Sequence, residues 1–374
     1  MAQSRRGCGC VLAALLLVLI VAGIVIVPFL LRWWREKPPP PSGAELRVHV
    51  LNVGQADSIL IISPAGKTVL VDAGNPGGGR LVQAAMNRAG VNAIDLLIAT
   101  HAHADHIGGA DEVINNVTVS RVLDSGVTNT TKNYADFLAA IGARGVEYTT
   151  AEPNQNFDLD GGARVSVLAP IKPFFTASQL RSGGNEPNAN SVVVRLDYGS
   201  FSMLLTGDAE AQTEDRMIAS NANVAAKVLK VGHHGSRYAT SEDFLRRGRF
   251  ETAIISNGAD NRYGHPSQEV LDRLRAANVR VYRTDLHGEI IITSRGKGYE
   301  VKAEREATGD IFAGRTPQRD DSSRSGFVQY GDFGPPPARR ATETTTATPR
   351  GADDRPLKFI VRKFSRRGIT ESDA

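Results

Sequence analysis

Three of the chain's eight histidines fall within six residues, in Thr100-His101-Ala102-His103-Ala104-Asp105-His106. No other stretch restricts the fold so tightly. The cluster directly follows the apolar run Leu96-Leu-Ile-Ala99. It therefore stands on a loop at a strand's end, ahead of a helix expected near Gly109. Imidazoles and a carboxylate at this spacing suit a borderline divalent metal, zinc first and manganese or iron next. His101 and His103 alternate and can face one ion, while Asp105 and His106 turn to a second. One loop cannot close two such sites, so the fold has to bring donors from elsewhere.

Two further strand ends offer them. Phe201-Ser-Met-Leu-Leu-Thr-Gly-Asp208 is an apolar strand that ends in a carboxylate placed to bridge two ions. The competing role for Asp208 is an N-cap of the helix expected over 210–219. Lys227-Val-Leu-Lys-Val-Gly-His233-His234 is a third strand, ending in histidine. Three chemically apt strand ends describe a metal site along one edge of a sheet.

The rest of the chain divides into three regions. From Val11 to Leu31 there is no charged side chain, and Trp33 and Trp34 follow at once. At about 1.5 Å per residue that run fits one membrane crossing, with the tryptophans at the boundary. A cleavable signal peptide is the rival, but the run is long for one and Arg32-Trp-Trp-Arg35 offers no small-residue cleavage site. The expected organisation is a short tail over 1–10, an anchor over 11–31, a Pro-rich spacer over 32–44, a folded domain over 45–303 and a disordered Pro- and Thr-rich tail over 304–374. The chain would then be a single-pass protein of the bacterial inner membrane, with the domain outside the cytoplasm. The flanks of the run carry two and three Lys/Arg, which leaves the orientation open.

Within the domain, strands are expected over 46–51, 58–62, 68–71, 95–99, 164–168, 192–196, 201–205, 227–231, 253–256, 280–282 and 289–293. Helices are expected over 80–89, 133–140, 210–219 and 267–276, which makes an α/β domain. The pI of about 9.1 suggests a grip on nucleic acid, but residues 44–303 hold 26 basic and 28 acidic side chains. Bulk positive charge is therefore absent where the site would be. Arg237, Arg246, Arg247 and Arg249 could form a local basic patch, or simply a solvated helix face. The two cysteines, Cys8 and Cys10, precede the apolar run, which excludes thiolate zinc sites and disulfides beyond residue 10.

These residues resemble the metallo-β-lactamase superfamily, whose first metal motif is His-x-His-x-Asp-His, and within it the hydrolase-like domain of ComEC competence proteins. The matching stretches are Leu51-Asn-Val-Gly-Gln-Ala-Asp-Ser-Ile-Leu-Ile61, Leu70-Val-Asp-Ala-Gly-Asn75, His101-Ala-His-Ala-Asp-His-Ile-Gly-Gly109, Asn190-Ser191, Leu204-Leu-Thr-Gly-Asp208, Val231-Gly-His-His-Gly-Ser236 and Tyr263-Gly-His-Pro266. The resemblance implies an αββα sandwich with two divalent ions, zinc or alternatively manganese, at one edge of two sheets. It implies His101, His103, Asp105, His106, Asp208 and His233 as metal ligands, with His234 the alternative to its neighbour. Asp72 would support the ligands from behind. Many members place another histidine between the first motif and the bridging aspartate, whereas residues 107–232 contain none and Asn190 occupies the corresponding stretch. ComEC proteins also carry a multi-helix channel domain, for which a single span cannot substitute.

The expected chemistry is hydrolysis. Metal coordination lowers the pKa of bound water from 15.7 toward ~7, Asp105 and Asp208 orient it, and His265 protonates the leaving oxygen or holds a phosphate oxygen. The expected substrate is a phosphodiester such as single-stranded DNA, with an ester or lactone as the alternative. The rival outside enzymology is a membrane-tethered binding or scaffold protein with a degenerate site. Protein partners are not specified by the sequence.

Overall fold

Strands covered on both faces can be apolar at every position, and the centre of this fold is built from such runs. The computed structural model describes residues 44–181 and 184–316. The expected anchor from Val11 to Leu31, the spacer through residue 43 and the tail beyond residue 316 lie outside the described residues. Among the described residues no helix is long and apolar enough to cross a membrane.

The first half contains β1 (Leu46–Val50), β2 (Ile59–Ile62), β3 (Thr68–Val71), β4 (Ala93–Ile94), β5 (Leu96–Ala99), β6 (Thr118–Val119), β7 (Arg121–Asp124) and β8 (Glu147–Thr150). The second half contains β9 (Asn156–Asp158), β10 (Ala163–Ala169), β11 (Val193–Tyr198), β12 (Phe201–Leu205), β13 (Val228–Lys230), β14 (Thr252–Ile255), β15 (Arg280–Arg283), β16 (Ile290–Ser294) and β17 (Glu300–Ala303). An eight-stranded sheet runs β17-β16-β1-β2-β3-β5-β7-β8, and a seven-stranded sheet runs β15-β14-β13-β12-β11-β10-β9. β4 and β6 pair separately.

The helices are α1 (Gly79–Ala89), α2 (Ala104–Ile107), α3 (Ala110–Asn116), α4 (Lys132–Arg144), α5 (Glu186–Ala189), α6 (Ala211–Ala219), α7 (Glu242–Gly248), α8 (Gln268–Ala276) and α9 (Thr284–His287). Alternate residues sort the layers. Val48, Ile61, Val69 and Ile98 of one sheet meet Val165, Val194, Met203 and Val228 of the other in a shared core. The opposite faces carry Leu60, Leu70 and Leu97 against Val82, Met86 and Phe137 of α1 and α4. On the far side, Leu204, Leu229 and Ala253 lie against Met217, Phe244 and Leu271 of α6, α7 and α8. Helices thus flank two stacked sheets, as expected.

Six strands went unforeseen, among them β8 and β9, which lie at opposite sheet edges and are largely exposed. Ordered contacts also continue past Ala303, correcting the expected start of the tail at 304. Arg315 Nε lies 3.1 Å from Asp285 Oδ2, Arg283 Nη1 donates to the carbonyls of Ile311 and Ala313, and Arg305 Nε donates to that of Leu286. The buried Asp285 carboxylate recruits Arg283 and Arg315, which composition alone did not reveal.

Candidate metal centre

β3, β5 and β7 run parallel, as do β12, β13 and β14. Their C-terminal ends therefore open on one edge, the usual ligand side of such sheets. Asp72 follows β3 with φ +59°. Its carboxylate accepts from Thr100 N at 2.8 Å and Thr100 Oγ1 at 2.7 Å, which ties the ends of β3 and β5 together. The single turn of α2 then presents Asp105 and His106. From the other sheet, Gly207 follows β12 with φ +51°, and a Cβ there would come within 2.8 Å of Thr100 Cβ. Only glycine lets the Asp208 loop close on the histidine loop. After β13, His233 and His234 are both left-handed, with φ +48° and +53°.

These loops converge on Asp208, which is almost fully buried. Its Oδ1 lies 3.2 Å from His106 Nε2 and 3.6 Å from His234 Nε2. His234 Nε2 is also 3.4 Å from Asp105 Oδ2. Asp105, His106, Asp208 and His234 together offer ligand atoms all within 4.8 Å of one another. The other oxygen, Oδ2, faces His101 Nε2 at 3.7 Å and His233 Nε2 at 3.6 Å. His103 Nδ1 lies 2.9 Å from His101 Nε2.

Carboxylates stand behind the imidazoles. His106 Nδ1 donates to Asp72 Oδ2 at 2.7 Å, and His233 Nδ1 donates to Glu210 Oε1 at 3.1 Å. His234 Nδ1 donates to the carbonyl of Ser256 at 3.0 Å, with Asp57 Oδ1 at 3.4 Å. Asp57 itself is paired with Lys230 Nζ at 2.7 Å, both side chains being buried. Such partners fix the tautomer and aim the remaining nitrogen.

Burial opposes charge throughout the centre, and the neighbours decide the outcome. Burial holds His101 and His103 below the usual imidazole range. Burial would depress His106 and His234 too, but Asp208 first, then Asp72 beside His106 and Asp57 beside His234, outweigh it. His106 is raised well above the usual value and His234 is pushed up to about 10. Burial would raise Asp208, yet His106, His234 and His233 hold it well below the usual carboxylate range. Five carboxylates thus converge where, among the described residues, the permanent cations paired with them are Lys230 and Arg181.

The residues fit a divalent cation. His106 Nε2, Asp208 Oδ1 and His234 Nε2 are buried without a hydrogen-bond partner, and all three belong to the same group of donors. Buried polar atoms left unpaired are costly, and two imidazoles with two carboxylates form an apt set for zinc or manganese.

The structure places His101, His103, Asp105, His106, His233 and His234 around Asp208, and Asn190 away from them. His234, the alternative of the adjacent pair, takes the place expected for His233 beside Asp105 and His106, because the left-handed turn sends the two rings to different sides of Asp208. Asn190 holds the backbone instead: Phe175 N donates to its Oδ1, and its Nδ2 donates to the carbonyls of Phe175 and Glu186. The asparagines that do reach the histidines are Asn185, 3.1 Å from His103 Nε2, and Asn188, 3.3 Å from His233 Nε2. His265 sits at the rim, its ring 5.4 Å from that of His233. Burial, then the neighbouring imidazoles of His233 and His234, drive its pKa down to about 3. Asp208 is no helix cap; Glu210 holds that position for α6. Arg237 pairs with Glu269 at 3.3 Å and Arg246 with Asp243, so half of the expected basic patch is neutralised.

Asp57, Glu210 and Lys230 are participants that sequence reasoning missed. A lysine inside the apolar strand Val228-Leu-Lys230 was the available signal, since such a side chain must find a buried carboxylate.

The pattern of the metallo-beta-lactamase superfamily matches residues 51–172. Over 268 residues the chain is 34% identical to ComE operon protein 3 of Bacillus subtilis, covering 66% of this chain and 33% of that protein. It is 30% identical over 263 residues to competence protein ComA of Neisseria gonorrhoeae, covering 70% of this chain and 34% of the relative. Recombination protein 2 of Haemophilus influenzae is 29% identical over 272 residues, covering 71% of this chain and 31% of its own. The chain spans about a third of the length of these curated relatives. Residues 51–172 thus belong to a metallo-beta-lactamase domain, and the chain is similar to the corresponding part of the ComEC-type competence proteins.

Proposed function

We propose that the domain is a metal-dependent phosphodiesterase acting on single-stranded DNA or a similar phosphodiester. The observation that carries this reading is the buried Asp208 carboxylate, with imidazole nitrogens facing each oxygen and unpaired donors converging on one of them. Asp105, His106, Asp208 and His234 would hold a divalent ion, zinc or manganese. When bound, such an ion supplies Lewis acidity, acidifying water and stabilising charge on a phosphate oxygen.

The chain's own residues do the positioning. Asp72 and Asp57 keep His106 and His234 aimed at Asp208. His265, neutral at physiological pH, offers a hydrogen bond at the rim rather than a stored proton. Two half-exposed tyrosines adjoin the residues around His233: Tyr263 stacks on His265, and Tyr238 lies under the Arg181 guanidinium at 3.3 Å. Aromatic rings beside a guanidinium suit an unpaired base and its phosphate. The competence and recombination relatives favour the same substrate class. We also propose that Val11 to Leu31 anchors the chain in the bacterial inner membrane with the domain outside the cytoplasm, which protease digestion of spheroplasts tests.

The functional test is hydrolysis of bis-p-nitrophenyl phosphate beside p-nitrophenyl acetate, with metal content read by mass spectrometry. Metal-dependent turnover of the phosphodiester, lost in Asp208→Ala, is expected. Turnover of the acetate alone would replace the reading with an esterase, and metal-free, inactive protein would leave a binding or scaffold domain.

A further inference from the structure

We infer that Arg315, beyond the last strand, is a positioning residue that fastens the rim loop carrying His265 beside the centre. Its kinetic consequences rest on the hydrolytic reading above. Its structural consequences do not.

The fastening starts at a buried charge. The Asp285 carboxylate, in the first turn of α9, accepts from Arg283 Nε at 3.1 Å and Nη2 at 2.8 Å. It also accepts from Arg315 Nε at 3.1 Å, so two guanidinium groups meet one carboxylate. Arg283 is buried as well, and its Nη1 donates to the carbonyls of Ile311 and Ala313 at 3.0 and 2.6 Å. A buried charge has to complete its hydrogen bonds. Residues 311–315, which belong to no strand or helix, are held against the domain for that reason.

The carbonyl between those two, of Phe312, accepts from Gln268 Nε2 at 3.1 Å, and Gly314 N donates to Gln268 Oε1 at 2.9 Å. One side-chain amide thus pairs with this strap as a neighbouring strand would. Glycine is needed at 314, because a Cβ there would come within 2.8 Å of Gln268 N. The Phe312 ring lies 4.5 Å from the Arg275 guanidinium, which adds a cation–π contact.

The last contact reaches the site. Arg315 N donates to the Pro266 carbonyl at 2.9 Å, and Pro266 directly follows His265. Pro266 also packs on Gly235, where a Cβ would come within 2.6 Å of the proline Cβ. Ser267 N donates to the Gly235 carbonyl at 2.9 Å, and Gly235 directly follows His233 and His234. Residues 265–267 are therefore tied to the histidine turn by one set of contacts and to the strap by another. Asn261 holds the loop from within, through the N–H and carbonyl of His265. Arg315 holds its far end.

The test uses the full, metal-loaded chain. Hydrogen exchange read by mass spectrometry reports the rim, and bis-p-nitrophenyl phosphate reports turnover. Arg315→Met removes the cation, whereas Gly314→Val keeps it and drives the strap off the Gln268 backbone. Each should speed exchange of the amides over 258–267 by about tenfold or more, with β3 at wild-type rates. Metal content should stay at the wild-type level. Turnover, as kcat/KM, should fall by about three- to tenfold, the worth of one neutral hydrogen bond. Arg315→Lys should regain part, since it returns a charge to Asp285 without the planar fork. Arg315→Met should add little to the loss caused by His265→Gln, because both act on one ring. A merely structural role would let the two losses multiply. Multiplying losses, or wild-type exchange over 258–267 in both strap variants, would overturn the inference. A wild-type chain that binds metal yet cleaves no phosphodiester would overturn the hydrolytic reading instead, and the exchange rates would then decide the role of Arg315.

Discussion

From the eight-stranded sheet, the centre receives His101, His103, Asp105 and His106 on one loop after β5, shaped by the single turn of α2. From the seven-stranded sheet it receives Asp208, His233 and His234 on separate loops after β12 and β13, each shaped by positive φ at Gly207 or at the histidines themselves. The first contribution is encoded by local spacing. The second is encoded by strand order and a costly backbone, and it holds the carboxylate that faces both groups of nitrogens. Damage to the second sheet's loops should therefore reach further than damage to the first.

Asp208→Ala tests that asymmetry most severely. It removes both oxygens between His106 and His234 on one side and His101 and His233 on the other. Metal content should fall to background, and turnover should drop on the order of a thousandfold or more, as when a catalytic constellation loses a shared member. Asp105→Ala should cost metal on one side only. Equal metal loss in the two variants, measured by mass spectrometry, would break the comparison.

The two sheets are also joined beneath the centre, where Lys230 of β13 meets Asp57 from the loop after β1. Removing one partner of a buried pair leaves the other uncompensated, at a cost of about 3–5 kcal/mol. Lys230→Met should lower stability by that order in urea denaturation of the metal-free chain. Adding Asp57→Asn to it should restore part of the loss, because the stranded charge is gone. A double variant less stable than Lys230→Met would show that the pair is not the relevant coupling.

Asp72→Asn probes the first sheet's outer support with little backbone disturbance, since asparagine tolerates the left-handed φ that Asp72 adopts. Loss of the carboxylate behind His106 should weaken metal binding about 10–100-fold. Competition with a chromogenic chelator measures it. An unchanged affinity would mean that Thr100, not Asp72, sets the ring.

The same division explains what was legible in the sequence. The buried parallel strands show as apolar runs, so β3, β5, β12 and β13 and their chemically loaded ends could be read directly. Strands β8 and β9, with the sequences Glu-Tyr-Thr-Thr and Asn-Phe-Asp, sit at sheet edges and carry no such pattern. Helix α7 is short, and its signal was only the Ser241 cap, which accepts from Phe244 N. At the site, the dense first motif was plain. The choice between His233 and His234 turns on the sign of two φ angles, which spacing does not encode. Asn190 drew attention only by its position in the stretch that lacks a histidine, whereas its hydrogen bonds are spent on a loop. Glu210 read as the start of a helix, since its meeting with His233 depends on how α6 leaves the sheet.

His265 offers the smallest and most discriminating effect. It lies on the seven-stranded side, between β14 and α8, held by Asn261, whose Oδ1 accepts from His265 N at 2.9 Å. Burial, then the neighbouring imidazoles of His233 and His234, lower its pKa to about 3, so its folded-state value is depressed and the imidazolium forms only near that pH or below. Between pH 5 and 9 it is neutral. A general acid typically contributes about 10²–10⁴-fold, whereas a neutral hydrogen bond is worth about 0.5–1.5 kcal/mol, or at most about tenfold. His265→Gln retains a donor at the rim and should lower kcat by less than about tenfold, leaving the acidic limb of the pH–rate profile in place. A loss of about a hundredfold, with the basic limb of the profile abolished, would make His265 the proton donor. The rim of the second sheet would then take part in the chemistry rather than only orient the substrate.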